Sequence, residues 1–210
     1  MKQLLTAICL LATTTIFSQS EKYVTTMSST LQQFNDAKTN EDLTAVAQKF
    51  ERIADVEKTQ WLPYYYAALV KTTMCLSGKV SDIDAMADEA NNLLTKAETL
   101  EQNNSEIYCV KSLIATAKMI VNPQARYMEY GAKINQYIEK AKAADSTNPR
   151  PYYIQASNLF NTPKQFGGGC DKSKPLAEKA LELFNNFKPV SNIHPTWGKE
   201  ATEKIISQCK

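Results

Sequence analysis

Residues 63–70 read PYYYAALV, residues 107–114 read IYCVKSLI and residues 151–158 read PYYIQASN. Each stretch has a tyrosine in second place and a small residue four positions later: Tyr64 and Ala68, Tyr108 and Ser112, Tyr152 and Ala156. The tyrosines are spaced 44 residues apart. Residues at i and i+4 share one face of an α-helix, and the small one lets a neighbouring helix come close. The pattern therefore reads as one packing face repeated along the chain. A fourth copy, shifted by one residue, puts Trp197 before Ala201.

A second helical pattern follows each copy. Ala90, Leu94 and Ala97 recur as Ile134, Ile138 and Ala141 at the same interval, and Ala177, Leu181 and Phe184 repeat the spacing with a slip of one. The i, i+4, i+7 spacing is the apolar face of an amphipathic helix. Upstream, Val46, Phe50 and Ile53 fit it too, after an earlier helix carrying Met27, Leu31 and Phe34. Pro63 and Pro151 suit a first helical turn, where a missing N–H costs little; Gly78 reads as a helix stop, and Asn148-Pro149 breaks the chain. No Asn-Gly or Asp-Gly hairpin signal occurs. The expectation is an all-α fold of about nine helices, stacked in antiparallel pairs as a short α-solenoid with a period of about 44 residues.

These features resemble the tetratricopeptide repeat family over roughly residues 41–208, with a period about ten residues longer than the usual 34. The leader and the FGGG turn described below also resemble exported repeat proteins of Bacteroidota. The resemblance implies a curved stack whose first-position helices line a concave face that holds partner peptides.

The first residues, MKQLLTAICLLATTTIFSQS, carry one lysine, an apolar run from Leu4 to Ala12 and a small residue at Ser18. This is the layout of a signal peptide over residues 1–19, too short to span a membrane. Residues 20–210 are then one helical-repeat domain, periplasmic or secreted and without stable membrane insertion. With a net charge of +2 and no basic cluster, the chain is no candidate for nucleic-acid binding.

The stretch QFGGGCDKSK, Gln165 to Lys174, is the segment that most resembles an active site. A phosphate loop would place its lysine directly after a glycine and follow a strand, whereas Lys172-Ser173 follows Asp171. A nucleophilic Cys170 would need a base, and the chain holds one histidine, His194, which reads as a cap or packing residue just before the last helix. A zinc site from Cys170, Cys209 and His194 lacks tight spacing. The stretch instead reads as a turn: glycines supply positive φ, and Asp171 caps a helix from about Lys172 to Phe187. A last helix from Pro195 to Cys209 returns antiparallel to it, which brings Cys170 beside Cys209. Loss of the leader removes Cys9 and leaves four cysteines in an oxidising compartment. A Cys170–Cys209 disulfide would close a loop worth about 4 kcal/mol on chain-entropy grounds. Cys75 and Cys109 lie on parallel helices about 15 Å apart along the axis, beyond disulfide reach, and read as buried apolar residues.

Neither a catalytic constellation nor a cofactor or metal motif emerges. Glu101 with Glu106, and Asp82 with Asp84, are carboxylate pairs at helix ends, where acids often cap. Tyr65, Tyr66, Lys71, Lys111, Tyr153, Gln155 and Asn158 are the candidates for the concave groove, since tyrosine offers apolar area together with a hydroxyl. The leading expectation is a non-catalytic scaffold binding a protein or peptide in the cell envelope. The alternative is a small-molecule or glycan carrier with a pocket between helices.

Overall fold

Short, well-capped turns set the architecture. The structure, a computed structural model, describes residues 20–209, so the expected leader over residues 1–19 lies outside it. Nine α-helices run in chain order among the described residues: α1 (Glu21–Asp36), α2 (Asn40–Val56), α3 (Trp61–Leu76), α4 (Ile83–Leu100), α5 (Ser105–Val121), α6 (Pro123–Ala144), α7 (Arg150–Asn161), α8 (Cys170–Asn186) and α9 (Lys199–Gln208). No strand occurs among the described residues. No helix there is long and apolar enough to cross a membrane.

Local sequence explains most boundaries. Thr39 and Asp42 form a reciprocal capping box at α2, Asp82 accepts from the Ala85 N–H at α4, and Asn104 accepts from the Glu106 and Ile107 N–H groups at α5. Asn122 caps α6 with Pro123 in its first turn. Gly78 follows α3 at φ 68°, where a side chain would be strained.

Each helix packs on the next, and the odd-numbered helices α3, α5, α7 and α9 also pack in series, as a helical repeat stack does. The repeated small residues lie inside the stack. Ala68, Ser112 and Ala156 are all fully buried, and the Ser112 hydroxyl donates to the Ile134 carbonyl of α6 at 3.3 Å. The repeated tyrosines share another feature: a second-helix lysine lies over each ring, Lys96 on Tyr64, Lys140 on Tyr108 and Lys142 on Tyr152, at 5.0–5.8 Å. The first two lysines are themselves one repeat apart.

The last repeat departs from expectation. The final helix starts at Lys199 rather than Pro195, because Gly198 takes φ 109° immediately before it and a Cβ there would sit 2.9 Å from the Phe184 ring. Trp197 consequently lies in the turn before the helix, and only Ala201 is helical. The turn reading of QFGGGCDKSK agrees with the structure, but the cap differs. Helix α8 begins at Cys170 behind Gly169 at φ 100°, and the Asp171 carboxylate accepts from Lys164 at 3.0 Å instead of capping. The middle glycine has its own reason: a Cβ on Gly168 would lie 2.0 Å from the Thr162 carbonyl oxygen.

Cys170, at the start of α8, and Cys209, after the end of α9, are joined in the structure with Cα atoms 5.2 Å apart. Cys75 and Cys109 are free and buried, and burial pushes the Cys75 thiol up to about 11 and raises that of Cys109 well above its ordinary value. In the folded protein under oxidising conditions, alkylation should label neither Cys170 nor Cys209 without reductant. Unfolding in urea with the bond reduced should require about 4 kcal/mol less than with it intact, with equal midpoints contradicting a staple at this position.

Candidate functional site

The connector from Phe187 to Gly198, between α8 and α9, turns back across the stack toward its N-terminal half. Ile193 is fully buried in the core that α1 to α5 share. Its carbonyl accepts from the Tyr66 hydroxyl at 2.9 Å, the Trp197 indole N–H donates to the Tyr65 hydroxyl at 2.9 Å, and the Pro195 carbonyl accepts from Arg150 at 2.5 Å. Three side chains on three elements of the stack or connector thus hold one irregular segment.

Arg150 is the hub. It is 0% exposed. Its guanidinium donates to Glu106 at 2.8 Å and lies over the rings of Phe187 at 4.8 Å and Trp197 at 5.2 Å. Glu106 also accepts from the Asn148 amide at 2.8 Å and the Tyr65 hydroxyl at 3.3 Å. Burial pushes the Glu106 carboxyl above the usual carboxylate range, while Arg150 and the hydrogen bonds from Tyr65 and Asn148 pull it back. Burial likewise drives the Tyr65 hydroxyl well up, so it stays protonated and can donate.

The sequence reading placed Glu106 among capping acids, and the structure corrects this: it is the buried partner of Arg150. The signal was present in the repeat itself. Leu62, Glu106 and Arg150 occupy the same position in three successive repeats, 44 residues apart. Stacked repeats bring such positions together, so an acid followed one period later by a base at a helix start marks an inter-repeat pair. Of the other carboxylates, Asp82 caps α4 and Asp84 pairs with both guanidinium nitrogens of Arg126 at 2.7 and 2.8 Å.

The residues expected to line the concave groove fall in several different settings. Tyr65 and Tyr66 are buried, their hydroxyls committed to the connector. Lys71 is paired with Glu51 and Glu89, Lys111 with Glu98, and Gln155 accepts from Lys142 at 2.9 Å. Tyr153 packs edge-on against Trp197, and the Asn158 side chain has a buried amide nitrogen. The chain's own connector therefore covers the tyrosines that a partner peptide was expected to meet.

A cleft of about 810 Å³ lies where this connector meets the stack. The α4–α5 and α6–α7 turns form one side, through Glu101, Asn104, Asp145 and Asn148. The end of α8 and the connector line it with Leu183, Phe187, Pro189 and Val190 beside Asn186 and Lys188, and Trp61 lines it from the start of α3. Val190 is 87% exposed, an apolar side chain that the fold itself leaves uncovered.

His194 also lines the cleft. It stands in the connector, five residues before α9, rather than at the helix start expected of it. Its Nδ1 lies 2.8 Å from the Ser191 hydroxyl, and its ring meets the Trp61 ring edge-on with centroids 6.0 Å apart. Burial lowers its pKa, so the imidazole is neutral at pH 7. Among the described residues, no group of three or more His, Cys, Asp or Glu is placed to hold a metal ion.

Comparison with known proteins finds similarity among solved structures. No protein-family model and no curated protein matches the chain. Among solved structures, the chain is similar to the HusA haemophore from Porphyromonas gingivalis, at 34% identity over 92% of this chain and 95% of that one, with a TM-score of 0.82. A haemophore is a binding protein and not an enzyme, in keeping with the non-catalytic reading. It is also a small-molecule carrier, which overturns the expectation of a protein-interaction scaffold and favours the pocket alternative.

Arg150→Met should lower the unfolding free energy by about 3–5 kcal/mol, because it leaves Glu106 buried without its partner and releases the connector. Urea denaturation followed by helical circular dichroism measures this, and a loss under about 1 kcal/mol would remove the ion pair from its central place.

Proposed function

The chain belongs to the family of the HusA haemophore, and from that premise we propose that it is an exported, non-catalytic haem-binding protein that seats the porphyrin in the cleft beneath the connector. The observation that carries the reading is the apolar wall of that cleft. Haem is a flat, largely apolar macrocycle with two carboxylates on one edge, so a site for it needs an extended apolar surface, a few polar groups for orientation and an open side. The cleft volume falls in the range of about 300–1,000 Å³ usual for small-ligand sites. Trp61, Leu183, Phe187, Pro189 and Val190 supply the apolar surface, and Lys188 supplies a cation for a propionate. A ring covering Val190 would remove apolar area that the protein alone leaves in water.

The leader over residues 1–19 supports export, and the repeats read as divergent tetratricopeptide repeats whose concave side has been closed by the chain's own connector. In this reading the partner is haem itself or a haem-carrying protein, rather than a peptide laid in the groove.

Adding haem to the purified protein should produce a saturable shift of its main absorption band at one equivalent, together with quenching of tryptophan fluorescence through Trp61. Absence of both at micromolar protein would overturn the reading. Val190→Asp is the informative variant, since Val190 is exposed and removing it costs the fold little. It should weaken binding by about tenfold or more, from lost apolar contact and repulsion of the propionates, with helical content unchanged.

A further inference from the structure

We propose that the tip of the α5–α6 hairpin is a membrane-docking site, which lays Ile120, Val121, Tyr127 and Met128 into the interface of a phospholipid bilayer. It does not depend on what fills the cleft, which lies at the opposite end of the same two helices.

The tip stands out from the stack. Helices α5 and α7 start side by side, since the Asn148 amide donates to the Ser105 hydroxyl at 3.0 Å and Arg150 donates to Glu106. Helix α5 has 17 residues and α7 has 12, so at 1.5 Å per residue α5 continues about 7.5 Å beyond its neighbour. On the other side, the 44-residue interval sets Ile83, the first residue of α4, against Tyr127. Helix α6 begins four residues before that position, at Pro123, and so carries an extra turn at the same end. A single residue, Asn122, joins α5 to α6 and caps α6. Arg126 braces this turn: its guanidinium donates to the Lys118 carbonyl at 2.9 Å and to the Asp84 carboxylate of α4 at 2.7 and 2.8 Å.

The surface of the tip is apolar and free of net charge. Residues 119–125 include no charged side chain, and residues 121–125 are all exposed. Ile120 and Val121 are 39% and 41% exposed, Tyr127 59% and Met128 83%. The other turns at this end each carry a lysine, Lys38, Lys79 and Lys164. The cations nearest the tip are already neutralised: Arg126 by Asp84, Lys118 by Asp88 and Lys133 by Glu129.

This combination suits lipid better than a protein partner. A stable protein interface takes roughly 20–30 residues a side, and a convex tip with four large apolar side chains falls far short of that. A bilayer interface asks for less: a few apolar side chains reaching past the headgroups, with tyrosine favoured at that depth. Because the nearby cations are paired, the attraction is apolar and does not call for anionic lipid. Docked this way, the protein keeps its cleft in water. The cleft is lined by Ser105 at the start of α5 and Ala144 at the end of α6, and the 22 residues of α6 set it about 33 Å from the tip.

The test floats the purified protein with phosphatidylcholine vesicles, at low and high salt, with and without part of the lipid replaced by phosphatidylglycerol. The wild-type protein should rise with the vesicles to the same extent in every condition. The double variant Tyr127→Gln/Met128→Gln keeps good helix formers and should bind at least about tenfold more weakly. Val56→Gln, which changes a comparably exposed apolar residue at the end of α2, should bind as the wild type does. With bromine-labelled acyl chains, the indole introduced by Tyr127→Trp should be quenched, while Trp61 and Trp197, which belong to the cleft end, are not. No vesicle binding, binding that requires phosphatidylglycerol, or binding that survives the double substitution would overturn the proposal. So would a wild-type dimer that the double variant dissociates, since a second copy would then cover the tip. Should the double variant not fold, the quenching of Tyr127→Trp decides alone.

Discussion

A guanidinium with no solvent exposure is costly to bury, and the fold is arranged so that Arg150 is compensated on every side. Glu106 supplies the opposite charge, Asn148 orients that carboxylate, the Pro195 carbonyl accepts a further N–H, and the Phe187 and Trp197 rings cover the faces. The partners come from three parts of the chain. Glu106 belongs to α5, Asn148 to the α6–α7 turn, and the rest to the connector, so satisfying one charge fixes where two repeats and an irregular segment meet. The Arg150 Nε has no protein partner among the described residues, and the guanidinium's other nitrogens carry the whole arrangement.

That constraint explains why a repeat stack here has a pocket in place of an open groove. Stacked helix pairs present their first helices on one side, and such a surface suits an extended peptide. In this chain twelve residues, 187–198, return across that side and engage both tyrosine hydroxyls: the Ile193 carbonyl accepts from Tyr66, and the Trp197 indole N–H donates to Tyr65. Backbone carbonyls in a buried loop need donors, and Tyr66 supplies one to Ile193 while Arg150 supplies one to Pro195. What remains is the space the connector does not fill, bounded by two inter-repeat turns and the end of α8, and its volume of about 810 Å³ is within the range of small-ligand sites. The likeness to a haemophore across nearly the whole chain falls on the same conclusion from an independent direction.

Much of the helical framework was legible because it depends on local rules. The tyrosine-to-small spacing at 64/68, 108/112 and 152/156 marks close helix contacts wherever it occurs, and Gly78, Asn104 and Pro123 act on their own helix ends. The site was much less legible. Trp197 fits the repeat pattern by type and spacing, yet it sits in a turn, because Gly198 and the contacts of its indole with Tyr65 outweigh the pattern. Tyr65 and Tyr66 are suitable groove residues in composition, and they are buried because a segment 127 residues away in sequence covers Tyr66. Glu106 and Arg150 could have been paired through the 44-residue interval, but reading them as helix-end charges concealed it. His194 looked like a residue leading into a helix, and its position in the cleft wall follows from anchors on both sides that are far away in the chain.

By itself the sequence determined that this protein is all-α and built of successive helix pairs, because helix periodicity and caps are local properties of a few neighbouring residues. Only the tertiary structure decided which face stays open. That depends on a buried charge and a handful of tyrosine and tryptophan hydrogen bonds between residues more than forty positions apart, and such long-range pairings leave no periodic trace in the chain beyond the repeat interval itself.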